Sequence, residues 1–382
     1  MVIYCRNKLY RSELLEKTLN NIKKEAVLVI ASLAALITVL IVPPDKKYLD
    51  YFNIHVLVML FCLMAVVQGL VKSGLFDILS VKALKLCKST KLLAIILVNI
   101  VFFSSMIVTN DVSLIIFVPF TIGIFSGVRQ RDIIFVIVME TIAANLGSMA
   151  MPFGSPHNLF IYSFYKLNFM EFFKVVFPVS IAGYIVIMLL MYFSKIMNGQ
   201  REINSIAPEH DFKRIIINLA LFVFCVLSVL RIIPILVCLG IVVICILISD
   251  FKIFRKVDYS LLATFVAFFI FVGNIGRIDA ITKVLERLMN KSVLLITLIA
   301  SQCISNVPAS VMLSDFTDNS KDLLLGANIG GLGTIIASLA SLISFKLYAK
   351  SNEADKPRFL GIFTFYNIVV MAIMIIFTAI IY

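Results

Sequence analysis

Apolar runs recur along this chain at lengths that match a lipid bilayer, and two polar breaks inside them constrain the fold more than any other feature. A hydrocarbon core about 30 Å thick needs about 20 helical residues to cross it. Apolar stretches of that order are read at 26–43, 51–71, 133–162, 171–194, 213–231, 233–250, 259–276, 323–348 and 359–381, giving nine expected crossings. Two further stretches, 92–126 and 292–317, are interrupted by Thr109-Asn110-Asp111 and Ser305-Asn306. The pieces on either side of each break, 92–108 and 112–126, then 293–304 and 307–314, are too short to span the core at about 1.5 Å per residue. They read as re-entrant helical hairpins, whose polar tips are tolerated at depth only where protein or a watery cavity surrounds them.

Composition agrees that the solvent is lipid. The chain is 61% hydrophobic and 15% charged, with a mean hydropathy of +1.04, whereas a soluble domain needs about a quarter of its residues charged. A net charge of +12 raises the question of nucleic acid, but the basic residues gather at the ends of apolar runs and form no single face, so no nucleic-acid partner is expected. Placing the N-terminus in the cytoplasm and the C-terminus outside puts most of the 34 Lys and Arg residues in inside segments, as the positive-inside tendency requires. Residues 1–25 read as a weakly amphipathic interfacial segment, and with no small-residue cleavage site before Pro43-Pro44 the first span is expected to be retained. The seven cysteines show no C-x-x-C spacing, so neither a disulfide framework nor a zinc site follows.

The interruptions belong to a duplication. Ala144-Asn145-Leu146-Gly147-Ser148 returns as Ala327-Asn328-Ile329-Gly330-Gly331, each copy following one hairpin. Each half reads as two spans, an amphipathic linker (74–90 and 278–290), a hairpin, a Gly-interrupted span and a final span. The first repeat covers 26–194 (hairpin 92–126) and the second 233–382 (hairpin 292–317). Segment 195–232, with its single span, joins them and makes the second repeat start from the opposite face. The expected architecture is an all-α integral membrane protein of two inverted repeats, each with a re-entrant hairpin and a broken transmembrane helix, an arrangement found in secondary transporters with a site near the midplane.

Several residues are candidates for that site. Asn110 or Asp111 is placed to cap a helix starting at Val112, and Pro308 suits the first turn after Asn306. Each tip would aim a helix N-terminus at an anion. The glycines Gly147, Gly154, Gly330, Gly331 and Gly333 can unwind their spans, so that carbonyls together with Thr109, Asn110, Asp111, Ser148, Ser305, Asn306 and Thr334 hold a cation; close helix packing is the other reading of the glycines. Asp111, Glu140 and His157 are candidates for coupling a proton, with a structural ion pair to the basic stretch 129–131 as the alternative for Glu140 and a lining role as that for His157. Cys303 reads as a core residue or a thiophilic contact. No H-E-x-x-H or G-x-S-x-G pattern occurs, so an enzyme is not expected.

The run VTNDVSLIIFVPF (108–120), the run ANLGSMAMPFGSPHNLFIY (144–162) and SNVPA (305–309) resemble the ion transporter superfamily, most closely its anion-permease and arsenite-permease branch, related to the divalent-anion/sodium symporters. The resemblance implies a homodimer in a cell membrane, with a scaffold and a mobile domain that slides as an elevator. It implies substrate contacts from Thr109, Asn110, Asp111, Ser305, Asn306, Pro156, Asn158 and Thr334, and cation contacts from the tips with the loops around Gly147 and Gly330. The third tip positions, Asp111 and Val307, depart from the Ser-Asn-Thr of the dicarboxylate branch. The expected function is secondary transport of a small anion or oxyanion, carboxylate- or arsenite-like, coupled to Na⁺ or H⁺, with no cofactor. A Na⁺/H⁺ antiporter using Asp111 and Glu140 is the alternative.

Overall fold

The computed structural model describes residues 25–86, 89–125, 127–196, 211–351 and 354–382, so the expected interfacial segment 1–25 lies outside the described residues save for Glu25. Most helices follow one logic: apolar runs form them, and Ser, Asn or Asp marks where they start. The first half contains α1 (Ala26–Ile41), α2 (Ile54–Lys72), α3 (Leu75–Leu86), α4 (Thr90–Val108), α5 (Asn110–Ile124), α6 (Gln130–Ser148), α7 (Pro156–Phe164) and α8 (Phe169–Phe193). After the joining helix α9 (Phe212–Val229), the same order returns as α10 (Ile235–Asp250), α11 (Tyr259–Ile275), α12 (Asp279–Met289), α13 (Val293–Ile304), α14 (Asn306–Ser314), α15 (Ser320–Gly330), α16 (Leu339–Tyr348) and α17 (Lys356–Ile381). Side chains of Asn53, Ser89, Asp211, Asp258, Ser292, Asn319 and Asp355 each accept a first-turn N–H, and Asn168 forms a capping box with Glu171.

Among the described residues, six helices are long and apolar enough to cross a membrane: α2, α4, α8, α9, α10 with its 3-10 extension, and α17. This differs from nine full crossings for physical reasons. Of the nine, 133–162 and 323–348 are split, as expected of Gly-interrupted spans, into α6 and α7 and into α15 and α16, while α1 and α11 have only 16 and 17 residues; α4 joins the count from the first hairpin. One hairpin arm also differs from expectation. The Ser89 cap starts α4 at Thr90, so it runs 19 residues, about 28 Å, and passes the length test that 92–108 failed. It nevertheless folds back: the Ser104 and Ser113 hydroxyls, on either side of the tip, lie 2.9 Å apart, which only antiparallel arms allow.

Helix α6 is the hub. Its residues from Asp132 to Ser148 are all buried, the signature of a helix enclosed on every side. The packing is reciprocal between the halves: α1 lies on α11 and α2 on α10, α5 on α16 and α14 on α7, α6 on α17 and α15 on α8. Within each half the first hairpin arm packs on the first piece of the broken helix, α4 on α6 and α13 on α15. The amphipathic helix α12 turns away from α11 by 100°, as a helix lying along an interface would. Of the glycines flanking the two amphipathic linkers, Gly74 takes φ +82° while Gly276 has an ordinary helical backbone.

Outside the helices, Arg277 donates to both oxygens of Asp45 (3.1 and 2.8 Å) and to the Tyr51 hydroxyl (3.1 Å), tying the α1–α2 connection to the end of α11. The Arg277 hydrogen bonds hold the Asp45 carboxyl below the usual carboxylate range. A carboxyl depressed by folding adds stability above its unfolded value of about 3.9 and loses it as pH falls through the folded value. Asp45→Asn is therefore expected to melt slightly below wild type at pH 7 and to converge with it at an acid pH where Asp45 is protonated in the fold. Calorimetry at the two pH values checks this.

Candidate functional site

The two tips are built alike. Thr109 has φ +76°, ψ +156° and Ser305 has φ +75°, ψ +152°, a left-handed geometry that costs a non-glycine residue about 1–3 kcal/mol and persists only when its surroundings enforce it. The enforcement is also alike. The amide of Asn110 donates to the Gly154 carbonyl (3.3 Å) and that of Asn306 to the Ala337 carbonyl (2.9 Å), so each tip is pinned to the break in its own half's split helix. The helices start at Asn110 and Asn306, earlier than the expected Val112, with Thr109 and Ser305 as N-caps. Neither cap uses its side chain, and the Ser305 hydroxyl has no partner.

Glycines let the broken helices approach the hairpins. A Cβ on Gly147 would collide with the backbone carbonyl of Phe102, and one on Gly330 would sit 2.8 Å from the Ser301 side chain. The second break is further held by Gln302, whose amide nitrogen donates to the carbonyls of Gly330 (2.7 Å) and Leu332 (2.8 Å) while its oxygen accepts from the Thr334 amide (2.9 Å).

A buried chain of amides then crosses between the halves. Asn110 Nδ2 donates to Asn145 Oδ1 (3.1 Å), and Asn145 Nδ2 reaches the Gly331 carbonyl (3.5 Å). The Ser338 hydroxyl meets the same Asn145 Oδ1 (3.1 Å). In the other direction Asn328 Nδ2 donates to Asn158 Oδ1 (2.7 Å) and to the Leu324 carbonyl (2.9 Å), while His157 Nε2 lies 3.1 Å from Asn328 Oδ1 and 3.3 Å from the Ser155 hydroxyl.

These parts surround a cavity of about 610 Å³. First-turn residues of four helices line it: Asp111 and Val112 of α5, Val307 and Pro308 of α14, Pro156 of α7 and Leu339 of α16. The remaining wall comes from α1, α2, α11 and the body of α16, with residues such as Val27, Leu60, Leu261 and Ile343, and Lys256, Asp258, Lys346 and Lys350 sit at helix ends around it. Four N-terminal dipoles converging on one space, three of them with no side-chain cap, form an electropositive lining suited to an anion. Asp111 is the acid at the tip, with Glu25 and Asp258 also on the lining, and one of its carboxylate oxygens is buried without a hydrogen-bond donor among the described residues. A second cavity, of about 720 Å³, is lined by Phe160 and Phe164 of α7, Val311 of α14 and Phe269 and Gly273 of α11. The two cavities thus lie toward opposite ends of the same helices. Between them Phe160 packs on Phe265 and Phe269 with ring centroids 6.4 and 6.0 Å apart.

The expected site residues fall into three groups. Thr109, Asp111 and Pro156 line the first cavity. Asn110, Asn158, Ser305, Asn306, Gly147, Ser148, Gly330 and Gly331 are buried and are not on its lining. Thr334 is exposed beside Gln302, and Cys303 is exposed, so the core reading of Cys303 does not describe its place. Glu140 is fully buried away from the cavity, one oxygen accepting from Thr121 Oγ1 at 2.5 Å and the other without a partner. The basic stretch does not pair with it, since Arg129 is engaged by Asp132 at 3.0 Å. Glu140→Gln keeps the shape and the acceptor for Thr121. It is expected to melt with wild type and to keep a transport rate within about twofold of it, which a melting curve and a vesicle flux assay read directly. Sequence reasoning missed Ser155 and Gln302; a serine just before a proline reads only as a helix start.

An all-helical membrane body with a cavity at converging helix breaks defines a multi-pass membrane transporter. The family model described as citrate transporter (CitMHS) matches residues 14–320. An uncharacterized transporter of Methanocaldococcus jannaschii is 33% identical over 75% of this chain and 79% of its own length. Inner membrane protein YbiR of Escherichia coli is 29% identical over 77% and 79%. A Dictyostelium discoideum protein named as an arsB transporter is 30% identical over 39% of this chain and 27% of its own. The chain belongs to the CitMHS citrate transporter family, within the ion transporter superfamily, and is a secondary anion transporter.

Proposed function

We propose that this protein moves a small carboxylate or oxyanion by alternating access, coupled to H⁺ or Na⁺ at Asp111. One observation carries the reading: four helix N-termini, two from each half, line a single cavity whose tip acid is Asp111. The dipoles attract the substrate's charge, and the acid must be neutralised by a proton or a cation before an anion can sit beside it. Coupling follows from that requirement. Where Na⁺ is the ion, the Thr109, Ser305 and Asp111 oxygens with carbonyls near Gly147 and Gly330 are its natural ligands.

The reciprocal packing supports two inverted repeats, α1–α8 and α10–α17. In this reading α1, α2, α9, α10 and α11 form the scaffold, and the hairpins and broken helices form the part that slides against it. The first cavity lies on that boundary and, by the lysines around it, faces the cytoplasm; the second is the start of the opposite path, closed by Phe160 against Phe265 and Phe269. A homodimer with a cytoplasmic N-terminus completes the proposal.

The test is a thermal-shift screen of purified protein against sodium, citrate, succinate, arsenite, phosphate and sulfate, followed by flux in vesicles. At least one anion should stabilise wild type, and Asn110→Ala and Asn306→Ala should abolish both the shift and the flux. Asp111 standing within an anion site also favours a second reading, cation/proton exchange. Sodium-driven proton movement with no anion present would establish that reading and end the first.

A further inference from the structure

The Ser155 hydroxyl and its counterpart Ser338 begin the second pieces of the two broken helices, yet their hydrogen bonds differ. The direction of each bond is set by backbone carbonyls, which can only accept. Asn328 turns its nitrogen to the Leu324 carbonyl at 2.9 Å, so its oxygen is the atom facing His157. Asn158 confirms the orientation, since its own nitrogen faces the carbonyls of Ser148, Met149 and Met151 and its oxygen accepts from Asn328. An amide oxygen only accepts, so His157 Nε2 must carry a hydrogen, whether the ring is neutral or charged. Ser155, 3.3 Å from that same nitrogen, can therefore only accept from it. Its own proton has no acceptor among the described residues. The side chain does not cap α7, the residue is 1% exposed, and it lines the first cavity.

Ser338 is the opposite case. Asn110 uses its oxygen to accept from the Asp111 amide, so its nitrogen faces Asn145 and the atom it meets there is an oxygen. Ser338 must donate to that oxygen, and it also accepts from the Ala340 amide at 3.2 Å. Its donor is spent inside the protein. The position matching His157 in the second half is Ala340, which is why only the first half needs a histidine to leave its serine free.

We infer that Ser155 is a substrate-binding donor that hydrogen-bonds an acceptor oxygen of the transported anion, and that His157 with Asn328 is the positioning pair that keeps its proton turned away from the protein. The inference rests on the first cavity being the anion site. It makes the site one-sided: of two matching serines, only the one in the first half reads the substrate.

The experiment uses full-length protein in vesicles, with citrate, succinate, sulfate and arsenite each as probe. For the anion that wild type carries, Ser155→Ala should raise KM about tenfold or more with the maximal rate within about twofold, because a hydrogen bond to a charged acceptor is lost while the helix start keeps its backbone bonds. Ser155→Thr, which retains the hydroxyl, should recover most of the loss, and His157→Gln, which keeps an N–H donor, should perturb KM less than His157→Ala. Ser338→Ala should leave KM within about twofold. The ¹⁵N spectrum of His157 should show a hydrogen on Nε2. Unchanged KM in Ser155→Ala with Asn110→Ala inactive, an equal effect in Ser338→Ala, or a bare Nε2 would overturn the inference and leave the transport reading standing. Failure of every probe to bind or move with wild type would overturn both.

Discussion

Asp111→Asn is expected to bind substrate and to stop accumulating it. The side chain keeps its shape and its place on the first turn of α5, so the four-helix lining of the cavity is intact. What disappears is the charge that a proton or Na⁺ must neutralise before an anion can occupy the same space. In wild type one buried carboxylate oxygen of Asp111 has no donor among the described residues, and in the proposed mechanism the ion that completes it comes from solution. A tenfold gradient of one coupling ion is worth about 1.4 kcal/mol and supports up to about tenfold accumulation of substrate. In the variant that driving force is disconnected: imposing an ion gradient on loaded vesicles should leave the substrate ratio where it stood, while anion-for-anion exchange continues and the anion-induced thermal shift is retained or enlarged. Gradient-driven accumulation at the wild-type ratio in Asp111→Asn would remove Asp111 from the coupling mechanism.

The tips were legible in the sequence because lipid makes polar residues conspicuous. Thr109-Asn110 and Ser305-Asn306 interrupt runs that otherwise have no reason to contain them, and both prove to hold the same left-handed backbone. The repeated Ala-Asn-aliphatic-Gly was legible for a related reason, as two glycines in register with two hairpins. Contacts between the halves were not. Nothing local marks Ser338 as the partner of Asn145, or Asn328 as the residue that orients His157, since each bond joins positions more than 150 residues apart. Glu140 looked able to reach the arginines near the start of its own helix, but α6 is enclosed on every side and Thr121 from α5 reaches it first. The breaks in 133–162 and 323–348 were legible from their glycines, but their exact ends were not, because a helix that unwinds at a glycine keeps the composition of one that does not. The length of α4 turned on one serine cap, Ser89, which a hydropathy window does not register.

Gly147→Ala should be among the most destabilising methyl groups that can be added to this protein. The new Cβ falls on the carbonyl of Phe102, part of the α4 backbone, so no side-chain rotation relieves the collision and the hairpin must separate from α6. Overpacking of this kind costs about 1–3 kcal/mol, and more where the obstacle is backbone. Gly330→Ala repeats the experiment in the second half against the Ser301 side chain and the Leu298 Cα, at 2.8 and 3.1 Å, and should lower the melting temperature by less. Gly240, in α10, has nothing within 4 Å of where a Cβ would go. There alanine should be neutral or stabilising by about 0.5–1 kcal/mol, because a helical glycine loses more backbone freedom on folding. Three melting curves in one detergent therefore order as Gly147→Ala, Gly330→Ala, wild type, Gly240→Ala from lowest to highest. Since the Gly147 contact also sets where the Thr109 tip lies against the break at Gly154, Gly147→Ala should lose transport even at temperatures where it stays folded, whereas Gly240→Ala should not. A Gly147→Ala protein that melts with wild type would mean that α4 and α6 are not packed backbone to backbone, and the pinned tip on which the cavity depends would lose its support.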